Sequence, residues 1–177
     1  MIRGQGPLQV RIFLAIFGLA LLLAGCAADR LPPENPAFTA SMARPGAHLD
    51  SSVAVSMIST YRVNNGLGAV EVDSVLTRAA ETQAEAMAKR NKLDHNVIGE
   101  LGVRIKRSGY DAKLAVENIS AGYDTLSEAF SGWRESPPHR ENMLRSGVTK
   151  MGIAAVYAPN TRYKVFWAMI LAAPDAP

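Results

Sequence analysis

Apolar residues in the first half of the chain recur at the spacing of helices. Val53, Met57, Ile58 and Tyr61 share one helical face, which follows capping residues at 50–52 and ends at an Asn-Asn-Gly turn at 64–66. A second helix is predicted to begin after Asp73 as its N-cap, with a buried stripe of small and apolar residues: Val75, Leu76, Ala79, Ala80, Ala84, Met87 and Ala88. A short helix is predicted over 100–107. A fourth begins with the capping box TLSE at 125–128 and ends before the prolines at 137 and 138.

The pattern changes from helical to extended in the last third of the chain. Residues 151–157 read as one strand, and residues 163–171 (YKVFWAMIL) read as a second strand that is apolar enough to be buried on both faces. The turn residues at 159–162 join them into a hairpin, which a short strand near 115–120 is expected to join. Helices followed by strands predict the α+β class.

The N-terminus has the pattern of an export signal. Arg3 and Arg11 precede an apolar run at 12–24, which is too short for a membrane-spanning helix of about 20 residues. The run ends in Leu23-Ala24-Gly25-Cys26, which resembles the lipobox of bacterial lipoproteins. There the cysteine thiol is acylated with diacylglycerol, whose acyl chains include palmitate, and the chain is cut just before the cysteine. Residues 1–25 are therefore predicted to be a lipoprotein signal peptide and Cys26 the lipidation site. A small buried core cysteine and a plain secretory signal are the alternatives.

Residues 26–50 are rich in proline and polar residues and sustain no period, so they are predicted to form the lipidated cysteine and a flexible linker, with His48 as a solvated bystander. The domain is predicted over 51–174. Cys26 is the single cysteine, which excludes an intramolecular disulfide and a multi-cysteine zinc site. Removing residues 1–25 lowers the net charge from +3 to +1, so no nucleic-acid partner is expected.

Three residues of the predicted domain carry candidate chemistry. His95 lies in a polar loop after the second helix, and His139 follows two prolines at a new helical turn. Glu117 lies in an apolar stretch of predicted strand, where a carboxylate needs a partner such as a histidine, a metal or backbone donors. From position alone, both histidines are also compatible with surface or capping roles, and Glu117 with a carboxylate held by backbone donors.

Three motifs around these residues resemble the bacterial branch of the CAP superfamily, which includes cysteine-rich secretory, antigen-5 and pathogenesis-related-1 proteins. The motifs are LDHN at 93–96, ENISAG at 117–122 and WRESPPHRENML at 133–144. The resemblance covers about residues 54–172. It implies a three-layer α-β-α sandwich with a small central antiparallel sheet and a large cleft. It also implies that His95, Glu117 and His139 meet in that cleft.

The sequence departs from the family pattern at several positions. Val116 replaces the glycine before the family glutamate, Pro138 replaces a glycine before the histidine, and Ala168 and Met169 replace a Thr-Gln pair. Glu135 is the nearest candidate for a second family glutamate, but its offset differs by one residue. The fourth site position is therefore left open.

The resemblance supports two functional hypotheses. The preferred one is a lipid-anchored extracytoplasmic binding module whose two histidines and glutamate hold a divalent cation, zinc or calcium, or a lipid or cell-wall ligand. The alternative is a metal-assisted hydrolase in which His95, Glu117 and His139 are catalytic. Ala27 and Ala28 follow the cysteine, which implies an outer-membrane location if the cell is Gram-negative. Asn118 and Asn142 are expected to brace loops, and Arg104, Lys106 and Arg107 to form a solvated helix face.

Overall fold

The computed structural model of the chain describes residue 1 and residues 36–175. Cys26 and residues 2–25 of the predicted signal peptide lie outside the described residues. Among the residues that are described, no helix is both long and apolar enough to cross a membrane.

The described residues form short helices around one sheet, in the mixed order that the sequence predicts. The elements are α1 (Pro36–Thr39), α2 (Ser51–Asn64), β1 (Glu71–Val72), α3 (Ser74–Arg90), α4 (Leu101–Arg107), β2 (Ala112–Ala121), α5 (Leu126–Glu135), α6 (Pro137–Met143), β3 (Lys150–Ala158) and β4 (Lys164–Pro174).

The sheet has four strands in the order β1-β3-β4-β2. The long strands β3 and β4 form the predicted antiparallel hairpin, and β2 pairs antiparallel with β4. The two-residue strand β1 pairs in parallel with the start of β3. Because β2 lies at one edge of the sheet, residues in its middle remain accessible to α4 and α6.

Helices cover both faces of the sheet, so the molecule has three layers. Along β4 the odd residues 165–171 belong to the core shared with α2, α5 and α6. The even residues 166–172 belong to the core shared with α3 and α4. This period of two explains why the strand sequence is almost continuously apolar.

Helix α3 packs unusually closely on β3. A Cβ atom at Gly152 would lie 2.1 Å from the carbonyl carbon of Leu76 and 2.2 Å from the backbone nitrogen of Thr77. Alanines on the packed face of α3 make the same approach possible, and Ala80 and Ala84 are fully buried. The predicted stripe of small residues is therefore confirmed as a packing surface.

The predicted helix ends are confirmed by their capping contacts. The carboxylate of Asp50 accepts from the backbone of Ser52 at 2.9 Å, and that of Asp73 accepts from Val75 at 2.8 Å. In the capping box of α5, Glu128 Oε2 accepts from Thr125 N–H at 3.0 Å, and Thr125 Oγ1 accepts from Glu128 N–H at 3.2 Å. These caps satisfy amide donors that a helix start leaves unpaired.

The compact unit begins before Ser51. It includes the described residues from Pro36 onward, and Met42 lies in the core with 5% exposure. The backbone N–H of Met42 donates to the carbonyl oxygen of Asp124 at 2.6 Å, and Phe38 and Leu49 pack against the same core. Residues 36–50, which the sequence pattern assigns to the linker, are therefore part of the folded unit.

A buried arginine connects α2 to the end of α6 and the segment that follows it. Arg62 is 1% exposed, and its guanidinium donates to the carbonyl oxygens of Gly68 at 2.9 Å, Met143 at 2.8 Å and Arg145 at 3.0 Å. Burial lowers the pKa of Arg62 from its ordinary value. Because carbonyl dipoles surround the guanidinium, it joins α2 to the segment after α6 without a carboxylate contact.

Candidate functional site

The three predicted site residues come from different elements around the middle of β2. His95 lies in the loop between α3 and α4, Glu117 lies in β2, and His139 lies in α6. In β2, Glu117 and Ile119 face the α3–α4 layer, while Asn118 bonds to the α6 layer. The edge position of β2 allows residues from both layers to approach this point.

His95 and Glu117 are in direct contact. His95 Nδ1 lies 2.9 Å from Glu117 Oε2. The Glu117 side chain is 2% exposed, whereas the His95 side chain is 52% exposed. A carboxylate at Nδ1 favours the tautomer with the proton on that nitrogen, so Nε2 is the free nitrogen of the ring.

The second oxygen of Glu117 is bound by Arg104. Arg104 Nη2 lies 2.7 Å from Glu117 Oε1, and the Arg104 side chain is 4% exposed. Arg104 Nε also donates to the carbonyl oxygen of Gly99 at 2.9 Å, and Nη2 lies 3.4 Å from the carbonyl oxygen of His95. The buried charge of Glu117 is therefore balanced by an equally buried cation, which also holds the backbone that carries His95.

The prediction that Arg104 lies on a solvated face is wrong, although Lys106 and Arg107 are exposed as expected. One sequence signal could have identified the buried arginine. Leu101, Arg104 and Ile105 stand at positions i, i+3 and i+4, so Arg104 shares a helical face with two apolar residues.

A glutamine that the sequence analysis did not select positions the His95 loop. Gln83 is fully buried in α3, and its Nε2 donates to the carbonyl oxygens of Asp94 at 2.9 Å and His95 at 3.0 Å. The His95 backbone is thus fixed from α3 and from α4. This fixation places the imidazole before any ligand binds.

Two asparagines attach α6, and with it His139, to β2. Asn118 Nδ2 donates to the carbonyl oxygen of His139 at 2.9 Å. Asn142 Nδ2 donates to the carbonyl oxygen of Glu117 and to Asn118 Oδ1, both at 3.0 Å. The expectation that both asparagines brace backbone is confirmed.

His139 is half-buried, and its backbone carbonyl is bonded to Asn118, the residue after Glu117. Burial lowers the pKa of His139 below its ordinary value of 6.5, and the nearby charge of His95 lowers it further. Both effects favour the neutral imidazole near pH 7. A neutral imidazole is a metal ligand and a proton acceptor.

The donor set differs from a three-ligand metal site. Within residue 1 and residues 36–175, no group of three or more histidine, cysteine, aspartate or glutamate side chains has the arrangement of a metal site. Both Glu117 oxygens already have partners, whereas His95 Nε2 and the ring of His139 make no described hydrogen bond. The arrangement matches a carboxylate that orients a ligand histidine from behind.

A separate pocket of about 370 Å³ lies between α4 and the first residues of β2. Its walls include Leu101, Ile105, Lys106 and Lys113. Neither the two site histidines nor Glu117 line it. The pocket is therefore distinct from the His95–Glu117 pair.

Comparison with known sequences matches residues 55–171 to the model of the CAP, or cysteine-rich secretory protein, family. The chain is 28% identical over 138 residues to the uncharacterized protein YkwD of Bacillus subtilis, covering 73% of this chain and 54% of that protein. It is 30% identical over 101 residues to the uncharacterized membrane protein YlbC of the same species, covering 56% of this chain and 29% of YlbC. The matched region thus spans about half or less of each relative's length.

Two solved structures have the same fold. An extracellular SCP-domain protein of Bacillus anthracis superposes with a TM-score of 0.61 at 24% identity, covering 69% of this chain and 39% of that chain. An outer surface protein of Borrelia burgdorferi superposes with a TM-score of 0.64 at 20% identity, covering 71% and 92% respectively. With the family match over most of the described domain, these findings establish that the chain belongs to the CAP family of cysteine-rich secretory proteins.

Proposed function

We propose that this chain is an extracytoplasmic binding module, held at a membrane through acylated Cys26, whose site of His95, Glu117 and His139 binds a divalent cation together with a lipid or cell-envelope ligand. The apolar run and lipobox-like residues at 12–26 support export and acylation. The solved structures with this fold include proteins described as extracellular and as an outer surface protein, which agrees with a location outside the cytoplasm.

The contact between His95 Nδ1 and Glu117 Oε2 carries the proposal for the site. It directs Nε2 of His95, the free ring nitrogen, away from the carboxylate, on a side chain that is 52% exposed. Arg104 and Gln83 fix the carboxylate and the loop, so the imidazole is ordered in advance. A preorganised ligand loses less entropy when it binds.

The chemistry of the donors favours zinc over calcium. His95 through Nε2 and His139 through its neutral ring would hold the ion, with Glu117 orienting His95. Zinc accepts imidazole nitrogen, whereas calcium prefers six to eight oxygen ligands. Two protein ligands leave positions for water or for an oxygen of the bound ligand. The cation would there act as a Lewis acid.

Calorimetry on the chain that begins at Ala27 tests this proposal. Zinc is expected to bind with one-to-one stoichiometry, and calcium is not expected to bind. His95→Ala and His139→Ala should each weaken zinc binding at least ten-fold, because each removes one ligand. His48→Ala is the matched control, since it removes a histidine outside the site. Absence of heat at about 1 mM zinc, or an equal loss in the His48 variant, would refute the cation site.

The His95–Glu117 contact also favours a second candidate, a metal-assisted hydrolase. In such an enzyme His95, oriented by Glu117, would help to hold a cation that activates the attacking water. Glu117→Gln keeps the size of the side chain and removes its charge. A change in the cell-wall or lipid profile of expressing cells that disappears in a folded Glu117→Gln variant would favour the enzyme over the binding module.

A further inference from the structure

We propose that the end of the domain formed by the C-terminus of α3 and the β3–β4 turn docks on anionic phospholipid headgroups. Five exposed cations lie there, and they define what we call the basic end: Lys89, Arg90, Lys92, Arg162 and Lys164. None of these five cations is one of the three site residues, and none lines the pocket beside α4.

The two parts of the basic end are joined by a direct contact. The backbone N–H of Arg162 donates to Asn91 Oδ1 at 3.1 Å. Asn91 is the left-handed C-cap of α3, with φ of 47°, and so follows directly after Lys89 and Arg90. Cations that are about 70 residues apart in sequence therefore form one surface.

The basic end has a net positive charge, and the rest of the chain from residue 26 does not. Lys92 pairs with Asp94 at 2.7 Å, and Glu85 lies one helical turn before Lys89. With both acids counted, the basic end carries a net +3, whereas the chain from residue 26 carries only +1. The rest of the chain from residue 26 is therefore net negative. This charge asymmetry would orient the basic end toward a negatively charged surface.

Hydrogen bonds place Met42, near the start of the described residues, at the same end of the sheet. Gly122, just after β2, donates its N–H to the carbonyl oxygen of Val165, which follows Lys164. Two residues later, the carbonyl oxygen of Asp124 accepts from the N–H of Met42. Met42 thus lies at the same end of the sheet as the basic end, on the layer opposite α3.

This placement favours a membrane over a soluble polyanion as the partner. This inference rests on the proposed attachment of Cys26 only for deciding which surface of the domain lies nearest the membrane. An acylated Cys26 would bring the end of the sheet where Met42 lies, and with it the basic end, toward the headgroups. Basic residues near an anionic bilayer each strengthen binding.

Vesicle co-sedimentation of the chain that begins at Ala27 tests this docking without the acyl chain. Both apolar cores lie within residues 42–172, so this chain retains them. Vesicles of phosphatidylcholine with one quarter phosphatidylglycerol should bind the protein, and pure phosphatidylcholine vesicles should not. Added salt should release it, because exposed charges are screened.

Paired variants locate the surface. Lys89→Gln with Arg162→Gln should lower partitioning by roughly 25-fold, about five-fold for each cation. Arg107→Gln with Lys113→Gln is the matched control, since it removes the same charge at exposed positions near the opposite end of β2. The control should lose much less.

Three outcomes would overturn the proposal. These are equal losses in both pairs, equal binding to neutral and anionic vesicles, and binding to soluble polyphosphate without binding to vesicles. Because the tested chain lacks Cys26 and no zinc is added, these results do not depend on whether acylation or zinc binding occurs.

Discussion

At the scale of the residue, the central feature is the carboxylate of Glu117, which is almost completely buried. Glu117 lies within an apolar strand. One of its oxygens contacts a histidine, and the other accepts a hydrogen bond from a buried arginine. The sequence predicts that such a carboxylate needs a partner such as a histidine, a metal or backbone donors, and the family resemblance implies that His95 lies in the same cleft. It does not predict Arg104, because three neighbouring basic residues on a short helix resemble a solvated face, and the alignment with Leu101 and Ile105 spans only two turns.

Removing Arg104 should therefore cost stability. Arg104→Met leaves Glu117 buried without its cation, and we expect a loss of about 3–5 kcal/mol in the free energy of unfolding. Lys106→Met on the same helix changes an exposed cation and should stay within about 0.5 kcal/mol of the wild type. Urea unfolding of both variants measures the difference.

A double variant separates charge from packing. Arg104→Met with Glu117→Gln removes both charges, so it should recover part of the loss. If the double variant is as unstable as Arg104→Met, the buried charge is not the cause.

At the scale of the element, the pattern of apolar residues predicts most of the fold. The helices with strong caps and the β3–β4 hairpin are found where their signals lie, since these signals are local. The elements that were not predicted are β1 and α1, with two and four residues. They depend on contacts with β3 and with α5 rather than on a period of their own.

Because α3 and β3 approach closely at Gly152, a larger residue there should destabilise the fold. Gly152→Ala places a methyl group against the backbone of Leu76 and Thr77, which cannot move aside as a side chain tip would. We expect a loss of about 1–3 kcal/mol in the free energy of unfolding from overpacking. Thermal unfolding followed by circular dichroism measures it.

Gly102→Ala is the matched control for this prediction. Gly102 lies inside α4, and nothing stands within 4 Å of a Cβ atom there. Alanine should be neutral or stabilise the helix by up to about 1 kcal/mol. A Gly152 variant as stable as the Gly102 variant would contradict the packing argument.

At the scale of the whole molecule, the family and the three layers are predicted correctly from motifs and periods. The first residue of the folded unit is harder to predict from the sequence. Residues 36–50 contain prolines and glycine and show no period, yet Met42 reaches the core as a single anchor. One buried side chain in an irregular segment leaves no periodic signal.

The predicted membrane attachment belongs to this scale as well. Cells grown with labelled palmitate should incorporate label into the wild-type protein and not into Cys26→Ala, because Cys26 is the single thiol in the chain. Ala27→Ser is the control and should remain labelled. Label in the Cys26 variant, or an unlabelled wild type, would refute lipidation of this residue.

The early start of the folded unit has a consequence for how far the domain can travel. Cys26 and Pro36 are ten residues apart, so an acylated Cys26 would restrict the attachment point to at most about 35 Å from the bilayer surface. Such confinement corresponds to an effective concentration in the millimolar range. An affinity for headgroups too weak to retain the free domain would then keep the tethered domain on the surface for much of the time.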